Sequence, residues 1–367
     1  MSKLLVIAGP LSGYSLELLR SVARAWPCTV HVIHEPLPAS IGFSHEQVRF
    51  EDFECLNWAE ATSREIATFI RRCDPDAVLI HGTRPARAIA LALAILSRSV
   101  PTLFVSDANI YDLVSQRGRL LPRLAVYRAL FSRVPIALSL GLSNELALRL
   151  LGARNIVPLP AYAIDYAALE RAREQAPAFS SAERQLVIVA RQIEVKNLAA
   201  AIEAVSSDPE LREGLMLSFV GDGPLRPSLE ALARRLRVKT RFLGALPRPQ
   251  VGAALAHADG LLLPSNCEPW GIVVCEALGM GIPVIASPAV GAATSLAGQT
   301  GAIVVARSPS EPDLAEALRD FLRKSDQLTA AARSSAPRIR QLYALPDVAA
   351  RLAGLLEELA RGKPVST

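Results

Sequence analysis

The chain has 367 residues, 51% of them hydrophobic, and carries a formal net charge of +5 at pH 7. This length suits two domains better than one core, and the modest charge argues against a dedicated nucleic-acid binder, whose binding domain is usually far more basic. The five cysteines are odd in number and include no C-x-x-C pair, which argues against a disulfide framework or a zinc site and favours a reducing compartment.

Strand and helix patterns alternate through the first domain, which we place at residues 1–163. Continuous apolar runs predict buried strands, in the order LLVIAG, TVHVI, AVLIHG, PTLFVSD, PIALSL and IVPLP. Segments with helical spacing lie between them, namely SLELLRSVARAW, EIATFIRRC, ARAIALALAILS and NELALRLLG. Such alternation predicts a parallel sheet covered by helices on both faces.

The same alternation returns in residues 184–345, the predicted second domain. Its strand runs are QLVIVA, LMLSFVG, TRFLGA, GLLLPS, PVIAS and GAIVV. A charged and polar stretch at 164–183 reads as the linker, and the amphipathic segment 346–367 predicts a C-terminal helix that packs back on the first domain. The fold class is therefore α/β, with two doubly wound domains expected to face each other across a ligand cleft at the carboxyl ends of their strands.

No run in the sequence is typical of a membrane span or a secretory signal. The run KLLVIAG is too short for a signal and leads into a turn, and AIALALAILS falls short of the ~20 residues that cross a bilayer. We therefore expect a cytoplasmic protein, with peripheral attachment to the inner membrane face left open.

Three loops of the second domain follow predicted strands and should open on the same edge of the sheet. They contribute Arg191 and Lys196, then Gly221 and Asp222, then Glu268 and Gly271. Two cations at such an edge suit a diphosphate. Gly271 is expected at the start of a helix, whose free amide groups and positive dipole end also favour a phosphate. The other interpretation of Arg191 and Lys196 is a solvated pair of loop charges.

Glu268 and Glu276 stand eight positions apart, the first before this helix and the second inside it. Carboxylates on either side of a bound diphosphate can accept hydrogen bonds from sugar and ribose hydroxyls. The alternative is a structural role, with a helix cap and a buried ion pair.

The segments VARQIEVKN, FVGDGP, RFLGALPRPQVGAALAHADGLLLPS and PSNCEPWGIVVCEALGMGIPVIAS occur in this order. Together they closely resemble the donor domain of family-four retaining glycosyltransferases, which have the GT-B architecture of two Rossmann-like domains. The resemblance is strong over about Leu186 to Val305. In the first domain it is loose, and GPLSGYSLELLRSVARAW is similar to the family's glycine-containing first loop, with Gly13 in the key position.

The resemblance implies a role for each matched residue. Glu268 would hold donor-sugar hydroxyls, Glu276 the ribose, and Arg191 and Lys196 the diphosphate. The other residues of the donor site would be Gly13, Gly221, Asp222, Phe242, Leu243, Gly271, Ile272 and Val273. Phe242 and Leu243 would lie beside the nucleobase. The backbone of Gly271, Ile272 and Val273 would face the sugar and phosphates.

The implied activity is retaining transfer of a hexosyl group from a nucleoside-diphosphate-sugar to an acceptor hydroxyl in bacterial glycan, polysaccharide or glycolipid synthesis. The implied co-substrate is the nucleotide-sugar, with no further cofactor, no metal and no nucleic acid. Three alternatives stay open: a phosphorylase, a nucleotide-sugar epimerase, and a catalytically silent nucleotide-sugar-binding partner protein.

Several positions depart from the family pattern on the acceptor side. Ala293 and Thr294 stand where the family often has a glutamate after a second glycine pair, and Tyr14 follows Gly13 in place of a second glycine. Ser106 precedes Asp107 where a His-Asp pair is common. Asp107 remains a catalytic and acceptor-side candidate, together with His81 at the end of a predicted strand; the other interpretation of His81 is a buried histidine bonded to the backbone.

Two further features allow more than one interpretation. The triplet Asp74 to Asp76 resembles a metal-binding motif, but it precedes a strand, and we expect no metal there. The stretch 84–136 has eight arginines against Asp107 and Asp112 and no lysine. Arginines mixed with apolar residues suit an anionic membrane surface, which would bring the enzyme to a lipid-linked acceptor; a solvated basic helix face is the alternative.

Overall fold

The computed structural model describes residues 1–35, 52–83, 85–107, 113, 120–134, 136–160, 162–175 and 183–362, with only the backbone of 120–123. The described residues form two units, one made of 1–164 and 342–362 and the other of 165–341. Within the basic stretch 84–136, Arg84, Asp112, Arg117, Arg119 and the Arg123 side chain lie outside the described residues.

The first unit contains a seven-stranded parallel sheet in the order β3-β2-β1-β4-β5-β6-β7. The strands are β1 (Ser2–Ala8), β2 (Cys28–His34), β3 (Glu54–Asn57), β4 (Ala77–His81), β5 (Thr102–Val105), β6 (Ile136–Ser139) and β7 (Asn155–Pro158). Its helices include α1 (Gly13–Ala25), α2 (Ser63–Cys73), α3 (Ala86–Ile95), α4 (Leu120–Phe131) and α5 (Leu142–Leu151).

Alternation of side chains along β1 explains why this sheet is covered on both faces. Leu4 and Val6 point into one core, and Leu5 and Ile7 point into a second core on the opposite face. Because both faces are apolar, the strand reads as a continuous hydrophobic run in the sequence.

The second unit contains a six-stranded parallel sheet in the order β10-β9-β8-β11-β12-β13. The strands are β8 (Arg184–Val189), β9 (Leu215–Val220), β10 (Thr240–Gly244), β11 (Gly260–Leu263), β12 (Val284–Ala286) and β13 (Ile303–Val305). The helices are α6 (Tyr166–Gln175), α7 (Leu198–Ser206), α8 (Pro209–Gly214), α9 (Arg226–Leu236), α10 (Arg248–Ala256), α11 (Ile272–Gly279), α12 (Gly291–Thr300) and α13 (Glu311–Tyr343). The predicted α/β class with two doubly wound domains is confirmed.

In each sheet the strand order reverses beside the first strand of the unit. In the first unit this switch point lies between β1 and β4, and in the second between β8 and β11. Ligands of open parallel sheets bind outside the carboxyl ends of the strands at such points. The loops after these four strands are therefore where functional side chains are expected.

The segment that the sequence assigns to a linker contains α6. One face of this helix is buried through Tyr166, Leu169 and Ala172. Leu169 packs so closely on Gly252 of α10 that a Cβ added at the glycine would lie 2.9 Å from the leucine Cδ2. This half of the segment is thus part of the second unit.

The chain returns to the first unit next to the point where it left. The Ile164 N–H donates to the Tyr343 carbonyl (2.8 Å), and the Leu345 N–H donates to the Ile164 carbonyl (2.9 Å). The C-terminal helix α14 (Leu345–Ala360) then packs on α1, and its Leu352 and Leu356 share a core with Leu16 of α1. The first unit is therefore built from both ends of the sequence.

Candidate functional site

The loops after β8 and β11 meet at the switch point of the second unit. These strands are neighbours, with Leu186 beside Gly260. The Asn266 N–H of one loop donates to the Val195 carbonyl of the other (2.9 Å). Adjacent loops joined in this way bring Lys196 and Glu268 together, as their positions after predicted strands indicated.

Lys196 and Glu268 form an ion pair. The ammonium Nζ lies 2.5 Å from the carboxylate Oε2, and the side chains are 12% and 19% exposed. A charge-assisted bond that is largely shielded from water is stronger than a surface pair. The sequence analysis named a buried ion pair of a glutamate as the structural alternative to sugar binding. Glu268 does form such a pair, and its partner Lys196 is itself a predicted site residue.

A short 3-10 turn, Glu194–Lys196, sets the position of the lysine. The turn ends at Asn197, whose φ of 55° lies in the left-handed region that asparagine tolerates better than most residues. The Asn197 amide donates to the carbonyls of Pro264 (3.1 Å) and Pro309 (2.7 Å). Asn197 therefore fixes the turn on the loop after β11, and the sequence analysis did not identify it.

The loop after β9 is locked against the residues that follow β8. Gly221 has a φ of 124°, and a Cβ there would lie 2.1 Å from the Ala190 carbonyl oxygen. The Gln192 N–H donates to the Asp222 carbonyl (2.9 Å), and the Gln192 amide Nε2 donates to the Gly221 carbonyl (2.9 Å). Gly221 is thus required by close backbone approach.

Arg191 and Gln192 both carry buried polar atoms. Arg191 Nε and Gln192 Oε1 have no hydrogen-bond partner among the described residues. Gln192 is completely buried, and its carbonyl accepts the Leu225 N–H (3.1 Å). The sequence predicted Arg191 as a site residue but not Gln192. The one feature of the sequence that could have indicated Gln192 is a polar amide just after an apolar strand.

Asp222 organises its own loop. Its carboxylate accepts the Gly223 N–H (2.7 Å) and lies 3.4 Å from the Arg226 guanidinium. The same guanidinium donates to the Phe242 carbonyl (3.3 Å) at the end of β10. Asp222 therefore supports the strand end where the sequence analysis expects a nucleobase.

The two nucleobase candidates differ in accessibility. The Phe242 ring stacks on Phe219, with 4.6 Å between the ring centroids and an angle of 6° between the planes. Leu243 is 39% exposed. Of these two side chains, Leu243 is the more accessible one, while Phe242 contributes to the core of the second unit.

Helix α11 begins at Gly271 without a side-chain cap. Gly271 has a φ of 85°, and a Cβ there would lie 3.1 Å from both Glu268 Cγ and Val290 Cγ1. Gly271 has no side chain to cap the helix, and within the described ranges no side chain bonds to the amide groups of Ile272 and Val273. An uncapped helix start with a glycine before it suits an anion.

The backbone of Glu268 is held on the loop after β12. Its N–H donates to the Ala289 carbonyl (3.1 Å), and its carbonyl accepts the Gly291 N–H (3.1 Å). In α12, Ala293 is buried and the Thr294 hydroxyl donates to the Gly291 carbonyl (3.1 Å). Ala293 and Thr294, two of the residues that depart from the family pattern, thus belong to the helix whose first residue, Gly291, bonds to Glu268.

Glu276 lies five residues beyond Gly271 in α11 and is only 3% exposed. The C-terminal end of this helix is held by two side chains. The Tyr166 hydroxyl donates to the Cys275 carbonyl (2.8 Å), and the Arg340 Nε donates to the Gly279 carbonyl (2.6 Å). These contacts fix the helix that carries Glu276.

The first unit brings together two of its candidate residues and one that sequence analysis missed. His81 ends β4 beside Val105 of β5, and Asp107 follows two residues later. The Tyr162 hydroxyl lies 3.5 Å from Asp107 Oδ2, and the Tyr162 and His81 rings meet edge to face at 6.1 Å. Burial lowers the pKa of His81 below its usual 6.5, and the Asp107 carboxylate opposes that shift.

Gly13 is the first residue of α1, and the hydroxyl of Ser12 caps this helix by accepting the Ser15 N–H (3.4 Å).

Asp76 lies at the other edge of the sheet, where its carboxylate accepts the Lys3 N–H (2.8 Å). No cluster of three or more metal-ligating side chains occurs within the described ranges. In the same part of the chain, every helix is too short or too polar to cross a bilayer.

Residues 170–337 match the family model of glycosyl transferases group 1. The chain is 30% identical to the putative teichuronic acid biosynthesis glycosyltransferase TuaC of Bacillus subtilis strain 168 over 279 residues, which is 72% of this chain and 67% of that protein. The chain belongs to this family of glycosyltransferases.

Other relatives match over shorter segments. The lipopolysaccharide glucosyltransferase WaaG of Escherichia coli K12 is 35% identical over 158 residues, 42% of each chain. A glycogen synthase of Mycobacterium tuberculosis is 32% identical over 167 residues, 44% of this chain and 40% of that enzyme. The alignments thus span about two fifths of these relatives' own length.

The fold extends over nearly the whole chain in solved structures. Sucrose-phosphate synthase from Thermosynechococcus elongatus superimposes with a TM-score of 0.76 at 16% identity, covering 98% of this chain and all of that one. HepE of Anabaena in complex with UDP-glucose gives 0.70 at 16% identity, covering 97% and 100%. The GT-B fold is therefore confirmed.

Proposed function

We propose that this chain transfers a hexosyl group from a nucleoside-diphosphate-sugar to an acceptor hydroxyl, with retention of anomeric configuration and without a metal ion. The observation that carries the proposal is the convergence of Lys196, Glu268 and the uncapped start of α11 at one switch point. A cation, a carboxylate and free amide groups are the three components that a sugar diphosphate requires.

The diphosphate is proposed to bind at the start of α11. The amide groups of Ile272 and Val273 would donate to phosphate oxygens, since no side chain of the described residues caps them. Lys196 and Arg191 would add positive charge, and an anion could supply the hydrogen-bond partner that the buried Arg191 Nε does not find in the described part of the chain. As the leaving group departs, these donors would stabilise its growing negative charge.

The carboxylates are proposed to hold the two sugars of the donor. Glu268 would accept hydrogen bonds from hydroxyls of the transferred sugar, and its fixed backbone holds the side chain in place. Glu276, buried within α11, would accept from the ribose. Leu243 would contact the nucleobase at the end of β10.

Retention follows if the acceptor attacks on the face from which the phosphate leaves. The bond between the anomeric carbon and the phosphate oxygen breaks, and a bond to the acceptor oxygen forms. The acceptor proton passes to the departing phosphate oxygen, so that no carboxylate base is needed beside the anomeric carbon. His81 and Asp107 are the proposed acceptor-side residues of the first unit.

The similar proteins support this substrate class. Structures of HepE hold UDP, or UDP-glucose, and an Escherichia coli trehalose-6-phosphate protein was solved with UDP-2-fluoro glucose. WaaG and TuaC act, by their names, in lipopolysaccharide and teichuronic acid synthesis. We therefore propose a sugar-bearing acceptor in the synthesis of a bacterial glycan, polysaccharide or glycolipid.

A thermal-shift screen with nucleoside diphosphates and their sugars would identify the donor, and radiolabelled transfer to an acceptor extract would then test the activity. NMR of the product would show whether the anomeric configuration is retained. Binding without any labelled product would favour a silent partner protein, and conversion of the free nucleotide-sugar into its epimer would favour an epimerase.

Lys196→Met supplies the residue-level test, with Lys239→Met as its matched control. Lys239 also pairs with a glutamate of the second unit, Glu183 at 2.9 Å, but it precedes β10 and so lies at the opposite edge of the sheet. We expect Lys196→Met to abolish transfer and Lys239→Met to retain it. Equal activity of the two variants would refute the phosphate role of Lys196.

A further inference from the structure

Helix α5 of the first unit is apolar on two opposite faces. One face is buried through Ser143, Ala147, Leu148 and Leu151. The other carries Leu142, Leu146 and Leu150, which are 60%, 49% and 48% exposed. Residues at this spacing lie in one row along a helix, so that the three leucines form a continuous exposed stripe.

Helix α4 lies beside the C-terminal end of α5. The side chain of Arg128, on α4, lies against the end of α5, because a Cβ added at Gly152 would be 3.3 Å from Arg128 Cγ. We call Leu142, Leu146 and Leu150 the leucine face. A monomeric protein rarely leaves so many large aliphatic side chains exposed together without a binding role.

The charged residues of α4, α5 and the segments next to them are mainly positive. Between residues 120 and 155 the sequence has five arginines, one glutamate, no lysine and no aspartate. The glutamate is Glu145, and it is bonded to Arg149 (2.7 Å). Arg128 and Arg154 are exposed. An aliphatic row bordered by arginines is typical of a surface that rests at a lipid interface, with cations reaching the headgroups.

The same charges disfavour a second copy of the chain as the occupant. A copy placed on this face would bring its own arginines against Arg128 and Arg154, and like charges in contact weaken association. The stripe is also aliphatic, whereas the cores of protein interfaces are enriched in aromatic residues. Negative charge and a deformable apolar layer are both supplied by a phospholipid bilayer.

We propose that the leucine face docks the first unit on an anionic phospholipid membrane. The leucines insert at the boundary between headgroups and acyl chains, and the arginines bind lipid phosphates. Attachment of this kind is reversible, since it involves one short helix and a few charges. The proposal goes beyond the transfer reaction and does not depend on it, because docking requires no donor.

The test is co-sedimentation of the full chain with vesicles of phosphatidylglycerol and phosphatidylcholine, or of phosphatidylcholine alone. The wild type should bind the anionic vesicles at low salt and lose most of this binding at 1 M salt, where the Debye length is only ~3 Å. Failure to bind anionic vesicles at low salt would overturn the proposal, as would equal binding to neutral ones.

Two variants separate the apolar and the charged contributions. Leu142→Gln/Leu146→Gln/Leu150→Gln keeps the net charge and should lower partitioning to anionic vesicles by about tenfold or more. Arg128→Gln/Arg154→Gln should lower it by about 30-fold. The matched control is Arg234→Gln/Arg235→Gln, which removes the same charge from exposed positions of α9 in the second unit and should change binding less than about twofold.

The three leucines are exposed, so the leucine variant should keep the wild-type melting temperature, which shows that it folds. Equal losses in the α9 control would show that only net charge matters and would overturn the assignment to this face. A wild type that is dimeric in sedimentation velocity, and monomeric in the leucine variant, would assign the face to a second copy instead.

Discussion

Replacing Glu268 by glutamine should change two properties of the donor site in opposite directions. The Glu268 carboxylate holds the Lys196 ammonium at 2.5 Å. A phosphate that binds this ammonium must share it with the carboxylate. Glu268→Gln removes the competing charge, so the variant should bind a nucleoside diphosphate more tightly than the wild type. It should also transfer sugar more slowly, because Glu268 is proposed to hold the sugar hydroxyls.

The magnitude follows from the distance between the two anions. Oxygens bonded to one ammonium lie about 4 to 5 Å apart. With side chains that are 12% and 19% exposed, the surroundings are neither bulk water nor a dry interior. Coulomb's law then gives a repulsion of about 1 to 3 kcal/mol, which is roughly 5- to 150-fold in dissociation constant.

Isothermal titration calorimetry with a nucleoside diphosphate, its nucleoside and its sugar conjugate would measure these effects. The nucleoside, which has no phosphate, should bind wild type and variant equally. Glu183→Gln is the matched control, since it neutralises the carboxylate that pairs with Lys239 at the other edge of the same sheet. It should alter neither the affinity nor the rate.

Weaker binding of the nucleoside diphosphate to Glu268→Gln would refute the idea that Glu268 competes with phosphate for Lys196. Unchanged sugar transfer would refute its role toward the sugar. The two results are independent, so either half of the prediction can fail alone.

Three further predictions concern packing, protonation and metal. Gly279→Ala should lower the melting temperature and reduce the free energy of unfolding by about 1 to 3 kcal/mol, because the new Cβ would lie 2.1 Å from the Tyr166 ring. Gly298 has open space around it, so Gly298→Ala should stabilise α12 by about 1 kcal/mol. The pKa of His81 in the folded protein is below 6.5, so as the pH falls the unfolded state binds a proton before the folded state does. The free energy of unfolding should therefore decrease as the pH drops below 6.5, and this decrease should be smaller in His81→Gln. Transfer activity should survive EDTA, since the proposed site uses Lys196 and helix amides for the diphosphate.

Each of these has a result that would contradict it. A Gly279→Ala variant as stable as Gly298→Ala would mean that α6 shifts freely away from α11. Burial also lowers the pKa of His31, so a residual slope is expected in His81→Gln, but an unchanged slope would show that His81 does not contribute. Loss of activity in EDTA that magnesium or manganese restores would require a metal site.

Buried strands were predictable because parallel strands with two apolar faces are continuous hydrophobic runs. The edge strand β3 has a half-exposed sequence, ECLN, and gives no such signal. Helix α6 was missed for a related reason, as only Tyr166, Leu169 and Ala172 of its mainly charged sequence are buried. Elements with one weakly apolar face thus escape a search for periodic hydrophobicity.

The position of the charged site residues could also be predicted, because loops after parallel strands open on one edge. The bond between Lys196 and Glu268 depends on β8 and β11 being neighbours, which local sequence does not encode. Gln192, Asn197 and Tyr162 were missed since their roles consist of contacts with residues distant in the sequence. The roles of Arg191, Glu276 and Gly13 toward a donor remain predictions.

The path of the chain has a consequence for the order in which the protein folds during synthesis. The N-terminal unit lacks α14 until residues 345–360 have been synthesised, and α14 covers the apolar side of α1. The second unit is continuous from Asp165 to Gln341, and the anchors of α11, Tyr166 and Arg340, lie at its two ends. It can therefore complete its core on the ribosome while the first unit still waits for its last helix. A fragment 165–341 should fold alone, whereas a fragment 1–164 should expose Leu16 and Leu19 and aggregate.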